Sequence, residues 1–211
     1  MSPPKRKPET TEQLRASLVA HALRVIARDG AGALTMRALA AEAGCAVGLP
    51  YKVFTDRREL VGEIVHTEFD RLRNELGGMK QRAGTGTVAA NLASLAELLL
   101  DSPAVELTHE VIGDEDLTST VTARATDTGI GPAAFEKAFS DYLAAEKQIG
   151  RVRREIDENA QAFLLAGAIH NLIVSGAAYP RPSRRRLRQL LAATADTIVS
   201  NPEPNTTEDR H

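Results

Sequence analysis

The chain of 211 residues has one cysteine and no apolar run close to the roughly 20 residues that a transmembrane helix needs. One cysteine cannot form a disulfide within the chain, which favours a reducing compartment. The first residues, MSPPKRKPETTEQ, contain no apolar segment of the kind that secretory signals carry. We therefore expect a cytoplasmic protein with no membrane partner.

Sequence patterns typical of enzymes and metal sites are also missing. No serine lies in G-x-S-x-G, and the histidines are not arranged as H-E-x-x-H. Residues 84–89 fit G-x-G-x-x-A in letters, but no strand is predicted before them, so the pattern does not support a dinucleotide site. The acids at 114–116 near His109 are better explained as the start of a helix than as metal ligands. We predict no enzyme activity, no metal and no cofactor.

The small net charge of −2 conceals an asymmetry along the chain. Residues 1–60 contain ten lysines and arginines against six acids, whereas the remainder contains sixteen against twenty-two. A basic N-terminal part on an acidic body suits a protein that presents one end to a polyanion. Ordinary fluctuation of charge along a chain is the alternative explanation.

Residues 34–60 predict two short helices, a turn between them and the capped start of a third helix. Thr35 can cap the first, and Gly44 suits the left-handed conformation that ends it. The second short helix closes on Tyr51 and Phe54, of which Phe54 is expected in the core. Asp56 and Glu59 then have the spacing of a capping box. Helices this short must rest on flanking helices, which is typical of a helix-turn-helix whose second helix enters the DNA major groove.

At these residues the chain resembles the tetracycline-repressor (TetR) family. The resemblance is carried by Leu34-Thr35, Leu39-Ala40, Ala43-Gly44, Gly48, Tyr51, Phe54 and Leu60. It implies an all-α protein of about nine or ten helices. It also implies a helix-turn-helix domain at 11–56 and an effector-binding and dimerisation domain at 57–200, joined by a long helix. A disordered basic arm at 1–10 and a disordered tail at 201–211 complete the expected organisation.

Apolar periodicity and helix-breaking residues predict the other helices. Their expected ranges are about 11–28, 57–76, 88–100, from 103, from 115, 132–148, 157–178 and 183–200. The last pair is rich in small and leucine residues, and the resemblance implies that it forms a homodimer interface. The cluster of arginines at 184–188 is interpreted as a solvated face near that interface.

The resemblance also implies a set of DNA contacts. The residues are Thr35, Arg37, Val47, Gly48, Leu49, Tyr51, Lys52 and Arg57. Arg37 would contact a base or phosphate, Val47 or Leu49 a thymine methyl group, and Gly48 would permit close backbone approach. Tyr51, Lys52 and Arg57 would hold phosphates.

The chain departs from the family pattern inside the second short helix. Ala46, Leu49 and Val53 replace hydroxyl or imidazole side chains that commonly hold phosphates in the family. Pro50, about four residues into a helix that begins near Ala46, is expected to forfeit one backbone bond and bend the axis. Cys45 is interpreted as a small apolar filler rather than a redox switch.

These observations predict a DNA-binding transcriptional regulator, most often a repressor in such families. It would bind a palindromic operator as a homodimer and be released by a small, largely apolar effector. The candidate effector-binding residues are His109, Phe135, Phe139, Tyr142, Phe163, His170 and Asn171. The alternative is a helical dimer that binds ligands or proteins and has lost specific DNA binding.

Overall fold

The computed structural model describes residues 10–129 and 132–200. The predicted basic arm, apart from Thr10, and the predicted tail at 201–211 lie outside these residues, as do the two central positions of the predicted break at 129–132.

Within the described residues the chain forms eleven α-helices. Their bounds are α1 Thr11–Asp29, α2 Met36–Glu42, α3 Gly48–Val53, α4 Arg57–Gly77, α5 Val88–Leu100, α6 Pro103–Glu106, α7 Thr108–Ile112, α8 Glu115–Thr128, α9 Pro132–Gln148, α10 Glu158–Val174 and α11 Arg184–Asp196. Short 3-10 turns lie at Ala31–Ala33, Lys80–Arg82 and Gly176–Ala178. The all-α prediction is confirmed. No helix in this part of the chain is long and apolar enough to cross a membrane.

The first helix begins with a complete capping box that the sequence places just before it. The Thr10 hydroxyl accepts a hydrogen bond from the Gln13 backbone N–H at 3.2 Å, and the Gln13 side chain accepts one from the Thr10 N–H at 3.0 Å. The helix ends at Asp29, because Gly30 takes a φ of 82° that other residues rarely adopt. Both ends of α1 therefore follow signals that lie within a few residues of them in the sequence.

The predicted ranges of the last two helices, 157–178 and 183–200, are too long. Helix α10 ends at Val174, and Gly176 at a φ of 54° begins a 3-10 turn. Helix α11 ends at Asp196, because Val199 forms an isolated β-bridge with Val152. In that bridge the Ser200 N–H donates to the Arg151 carbonyl at 3.0 Å. The helix therefore stops where a long-range backbone pairing replaces the next turn.

The chain divides into two compact units whose limits differ from the predicted domains. Within the described residues, unit 1 contains 10–74 and 99–129, and unit 2 contains 75–98 and 132–200. The predicted boundary at residue 56, between a DNA-binding domain and an effector-binding domain, stays a prediction. As structural units, α1–α3 share one core with most of α4 and with α6–α8.

The core of unit 1 is built from the apolar stripes of α1, α2 and α4 together with Phe54. Its fully buried side chains include Leu18, Ile26, Leu34, Leu39, Phe54, Leu60, Ile64 and Leu107. Leu107 and Leu117 belong to the same cluster, so the segment after α5 completes the core on which the two short helices rest. Burying about eight such side chains contributes of the order of 1.5–3 kcal/mol each.

Ion pairs and hydrogen bonds also attach residues 106–116 to the rest of unit 1. The Glu106 carboxylate accepts a hydrogen bond from the Ala31 N–H at 3.1 Å. Arg58 pairs with Asp114 at 2.8 Å and with Asp116 at 3.0 Å. Asp114 also caps α8 by accepting from the Leu117 N–H at 3.0 Å, as its position before the helix predicted. The acidic start of α8 is therefore both a helix cap and a partner for α4.

Unit 2 contains the pair α9 and α10 and a buried polar network beside it. Glu146 is fully buried and accepts a hydrogen bond from the Tyr142 hydroxyl at 2.6 Å. The Asn91 amide donates to the same hydroxyl at 3.0 Å, and the Gly84 N–H donates to Glu146 at 3.3 Å. Burial, and then the bond to Glu146, raise the pKa of Tyr142, so the hydroxyl stays protonated and remains the donor. The network ties the turn before α5 to α9.

We predict that Tyr142→Phe lowers the free energy of unfolding by about 1–3 kcal/mol. The substitution keeps the buried ring but leaves the side chains of Asn91 and Glu146 without their shared partner. Urea denaturation followed by circular dichroism measures the change. Tyr179→Phe is the matched control, because Tyr179 is 56% exposed and should lose almost nothing. Equal stability of the two variants would contradict the network's structural role.

Candidate nucleic-acid interface

The first short helix is positioned by a side-chain cap and two buried anchors. Thr35 precedes α2, and its hydroxyl accepts a hydrogen bond from the Ala38 N–H at 3.0 Å. Met36 and Leu39 are buried in the core of unit 1, whereas Arg37 is exposed. Of the two predicted contacts on this element, Thr35 therefore shapes the helix start and Arg37 extends towards solvent.

The turn between the two short helices has the predicted glycine geometry. Gly44 takes a φ of 62°, and its N–H donates to the Ala41 carbonyl at 3.2 Å. The Cys45 N–H donates to the Ala40 carbonyl at 3.0 Å. Cys45 is a half-buried free thiol in this turn. A side chain at Gly44 would meet no neighbour, so the positive φ alone makes glycine the preferred residue there.

Pro50 is compatible with the second short helix, contrary to the expectation from sequence. Helix α3 begins at Gly48, two residues later than expected, so Pro50 is its third residue. Backbone N–H groups in the first turn of a helix have no partner within it, and a proline there forfeits nothing. Pro50 is buried, and its carbonyl accepts from the Phe54 N–H at 2.8 Å. The predicted loss of a backbone bond is therefore wrong.

Helix α3 has one buried and one exposed face. Pro50 and Phe54 are buried, four residues apart, with half-buried Leu49 and Val53 beside them. The exposed positions follow the same helical spacing on the other side. They are Val47 at 46% exposure, Gly48, Tyr51 at 57% exposure, and Lys52. Four of the predicted DNA contacts thus share a solvent-facing surface, and Leu49 lies at its edge.

Arg15 of α1 contacts the C-terminal end of α3 on the side opposite its exposed face. The Arg15 guanidinium lies 4.5 Å from the centre of the fully buried Phe54 ring and donates to the Val53 carbonyl at 3.1 Å. It also pairs with Glu59 at 2.8 Å. The Thr55 backbone N–H, and then Arg15, lower the pKa of Glu59, which remains ionised at neutral pH. Sequence patterns gave no signal for this arginine, because its partners are about 40 or more residues away.

The predicted capping box before α4 is present with a shifted partner. The Asp56 carboxylate accepts from the Glu59 N–H at 2.9 Å, as the spacing predicted. The Glu59 side chain reaches back to the Thr55 N–H at 2.7 Å, one residue earlier than a standard box requires. Hydrogen bonds to Glu59 at Thr55 and at Asp56 therefore fix the turn between α3 and α4.

Arg57, predicted as a phosphate contact, has protein partners instead. Its Nε donates to the Leu34 carbonyl at 2.7 Å, a second nitrogen donates to the Ala31 carbonyl at 3.4 Å, and the guanidinium pairs with Glu110. The side chain is about one third exposed. A phosphate contact from Arg57 remains a prediction, but the arginine connects the turn before α2 to α7.

The predicted effector-binding residues do not form one cluster. Phe135, Phe139 and Tyr142 lie together on the buried face of α9. Phe163 is 64% exposed on α10. His109 is exposed in unit 1, and the other six belong to unit 2, where His170 is half-buried and Asn171 exposed. Asn171 lines a groove of about 690 Å³ between α10 and α11.

Comparison with known proteins agrees with this geometry. Residues 18–64 match the sequence model of a protein family described as bacterial regulatory proteins of the tetR family. These residues span most of α1, the two short helices and the start of α4. No curated protein matches the chain.

Solved structures with the same fold cover nearly the whole chain. A protein assigned as a TetR-family transcriptional regulator from Mesorhizobium loti has a TM-score of 0.61 at 17% identity, covering 90% of this chain and 96% of its own. The reduced form of NemR from E. coli has a TM-score of 0.62 at 16% identity, with coverages of 90% and 98%. A transcriptional regulator from Saccharomonospora viridis, in complex with choline, has a TM-score of 0.60 at 19% identity, with coverages of 90% and 100%.

The family model thus matches the segment that carries the helix-turn-helix, and about 90% of the chain shares the fold of the solved TetR-family structures. Residues 18–64 of this chain are therefore a TetR-type N-terminal segment, and the chain as a whole has the TetR-like all-α fold.

Proposed function

We propose that this protein is a cytoplasmic transcriptional repressor that binds a near-palindromic operator as a homodimer and has no catalytic role. The exposed face of α3 carries the proposal. Val47, Gly48, Tyr51 and Lys52 share it, while the opposite face is fixed in the core by Pro50 and Phe54. A rigidly seated helix with an open face suits insertion into a major groove.

The side chains of this face suit different parts of the DNA. Val47 and the edge residue Leu49 present apolar groups that suit a thymine methyl group, and Gly48 leaves open space for a base or sugar. Tyr51 and Lys52 at the end of the helix would donate to phosphates. Arg37 of α2 is exposed and would contact a base edge or a phosphate.

The alternative function is a helical dimer that has lost specific DNA binding. Ala46, Leu49 and Val53 motivate it, since none of them can donate to a phosphate. A fluorescence titration with the DNA that flanks the gene, against random DNA of equal length, separates the two. Binding that is tighter for the flanking DNA and weakens with salt supports the repressor. Equal affinity for both DNAs would sink it.

We predict that Lys52→Ala weakens binding to operator and random DNA alike. Removing one lysine–phosphate interaction should make the slope of log affinity against log salt shallower by about 0.9. Titrations at four or more salt concentrations measure the slope. Lys80→Ala is the control, because Lys80 is an exposed lysine in the 3-10 turn of unit 2. If both variants keep the wild-type slope, Lys52 does not touch a phosphate.

We predict that Gly48→Ala lowers operator affinity by about tenfold or more, about 1.4 kcal/mol, without destabilising the protein. An added methyl group at Gly48 meets no protein atom within 4 Å and the φ is not positive, so any loss must come from the DNA side. Alanine should leave the free energy of unfolding unchanged or raise it by up to about 1 kcal/mol. Affinity is measured by anisotropy and stability by urea denaturation.

Gly32→Ala serves as the matched control for that substitution. Gly32 is also exposed, has no positive φ and leaves open space for a methyl group, but it lies in the 3-10 turn after α1. Operator affinity should not change in this variant. A similar loss in both variants would point to a general effect on unit 1 rather than a contact of α3.

The proposed homodimer forms through α10 and α11. Phe163 and Leu164 on α10 are 64% and 62% exposed, and Leu190 on α11 is 43% exposed. Together with the groove between these helices they form an apolar surface of a kind that marks protein contacts. A second copy covering it by a two-fold axis would present two α3 helices to half-sites about 34–36 Å apart.

We predict that the double substitution Phe163→Glu and Leu164→Glu raises the dimer dissociation constant by about a hundredfold or more. Each large apolar side chain contributes about 1.5–3 kcal/mol when it becomes buried, and two charges replace that gain with a cost. Sedimentation velocity measures the change. The matched control is Ile112→Glu with Ile149→Glu, because these residues are also about half exposed, at 56% and 54%. A dimer that both double variants retain would contradict this interface.

We also propose that a small, largely apolar ligand releases the protein from DNA. The fold is shared with a regulator that was solved in complex with choline, so a helical body of this kind can accept a small organic molecule. Phe135, Phe139 and Tyr142 are packed in the core of unit 2, and a ligand among them must displace neighbouring side chains. It can shift the DNA-binding equilibrium only by binding two conformations with different affinity.

A further inference from the structure

A second cavity lies in unit 1, away from the predicted effector residues. Its volume is about 450 Å³, and its lining comes from α1, the turn between α3 and α4, the first half of α4, and α8. Ligand sites commonly occupy about 300–1,000 Å³, and a single water accounts for only about 30 Å³. The cavity is therefore large enough for a small organic molecule.

His66, which lines this cavity, has one ring nitrogen without a hydrogen-bond partner. His66 is 8% exposed, and its Nε2 is buried without a donor or acceptor in the described part of the chain. Most buried polar atoms in proteins are satisfied, so such an atom calls for a partner from outside the chain. Burial, and then the nearby Arg124, lower the pKa of His66, opposed by Glu63 and Asp70. The neutral imidazole can either donate or accept one hydrogen bond at Nε2.

Three ion pairs lie among the charged side chains around the cavity. Arg15 pairs with Glu59 and with Glu63 at 2.8 and 3.1 Å. Arg58 pairs with Asp116 at 3.0 Å. An anion placed here would meet these carboxylates and a cation would meet the guanidinium groups, so a free ion of either sign is disfavoured. Hydroxyl groups suit this rim, because they can donate to the carboxylates and accept from the arginines.

The wall beside His66 is apolar. Gly62 lies one turn before His66 on α4, and a methyl group built on it would lie 3.5 Å from the Leu117 side chain of α8. This surface offers contact area for a short hydrocarbon segment but no hydrogen bonds from side chains. Polar rim, apolar wall and an unpaired nitrogen together describe an amphiphilic site.

We propose that this cavity binds a small uncharged molecule that carries a hydroxyl or amide group on a short apolar segment. The imidazole ring of His66 turns towards the cavity so that Nε2 hydrogen-bonds to the polar group, and the apolar segment packs on Gly62 and Leu117. The bound molecule contacts the turn at Thr55 and Asp56 directly after α3, together with α8. The ligand thereby stabilises the turn that follows α3. Its effect on DNA binding rests on the function proposed above, whereas binding of the ligand to the cavity does not.

The test uses the full-length protein labelled with ¹⁵N-histidine and three six-carbon probes. The probes are 1,2-hexanediol, hexanoate and hexylammonium, which differ mainly in charge. The His66 ring signal is assigned as the one that His66→Phe removes. We expect the diol to move the His66 Nε2 resonance to saturation, and the two ions to bind at least tenfold more weakly.

Two variants on α8 locate the probe in the cavity. Thr120 lines the cavity at an exposed position, so Thr120→Tyr blocks it without entering the core. Thr122 is an equally exposed threonine of α8 that does not line it, and Thr122→Tyr is the matched control. We expect Thr120→Tyr to abolish the diol response and Thr122→Tyr to keep it. A shift that never saturates, equal binding of the ions, or equal responses of the two variants would overturn the proposal.

A separate arm measures operator affinity with and without saturating diol. A change of threefold or more that Thr120→Tyr removes supports coupling between the cavity and α3. An unchanged operator affinity would overturn the proposed effect on α3 but not the binding of the diol to the cavity. If the protein binds no DNA in either condition, the proposed function fails while the NMR result still decides the cavity.

Discussion

The six residues of α3 are far too few to form a stable helix in water, so the proposed DNA contact depends on the tertiary contacts that hold this helix. The buried face of Pro50 and Phe54 supplies that support, with Arg15 stacked on the Phe54 ring and bonded to the Val53 carbonyl. Burial of one face leaves the other, from Val47 to Lys52, turned towards solvent. The tertiary core of unit 1 therefore determines both the existence of the helix and the side chains that it presents.

Unit 1 holds with its own acids an arginine, Arg57, that the family resemblance assigns to a DNA phosphate. Arg57 pairs with Glu110, and the next residue, Arg58, pairs with Asp114 and Asp116. The acids from the segment after α5 thereby reduce the positive charge of the N-terminal part of the chain. In the proposed DNA complex, Arg37, Tyr51 and Lys52 would therefore contribute more of the affinity than a count of basic residues indicates. The pair of Arg58 and Asp116 also borders the His66 cavity, whose lining includes Thr55 and Asp56 directly after α3.

In unit 2 the buried carboxylate has hydrogen-bond donors around it, whereas part of the surface exposes large apolar side chains. Glu146 is completely buried, but Tyr142, Gly84 and Arg151 surround it with donors. The exposed side of α10, with Phe163, is apolar instead. Phe163 and Leu164 are adjacent and each more than 60% exposed, and a contiguous apolar patch of this kind commonly marks a protein contact. This patch is the basis for the proposed contact with a second copy.

The sequence alone determined the helical class, the capped start of α2, the glycine turn at Gly44 and the helix-turn-helix, because these depend on residues close together in the chain. It could not locate the start of α3, since whether Pro50 costs a backbone bond depends on where the core fixes that helix. Nor could it show that Arg57 is held by residues about 20 to 50 positions away, or that His66 Nε2 lacks a partner among the described residues. Those facts arise only when distant segments meet, and no local pattern records which charges and cavities that meeting creates.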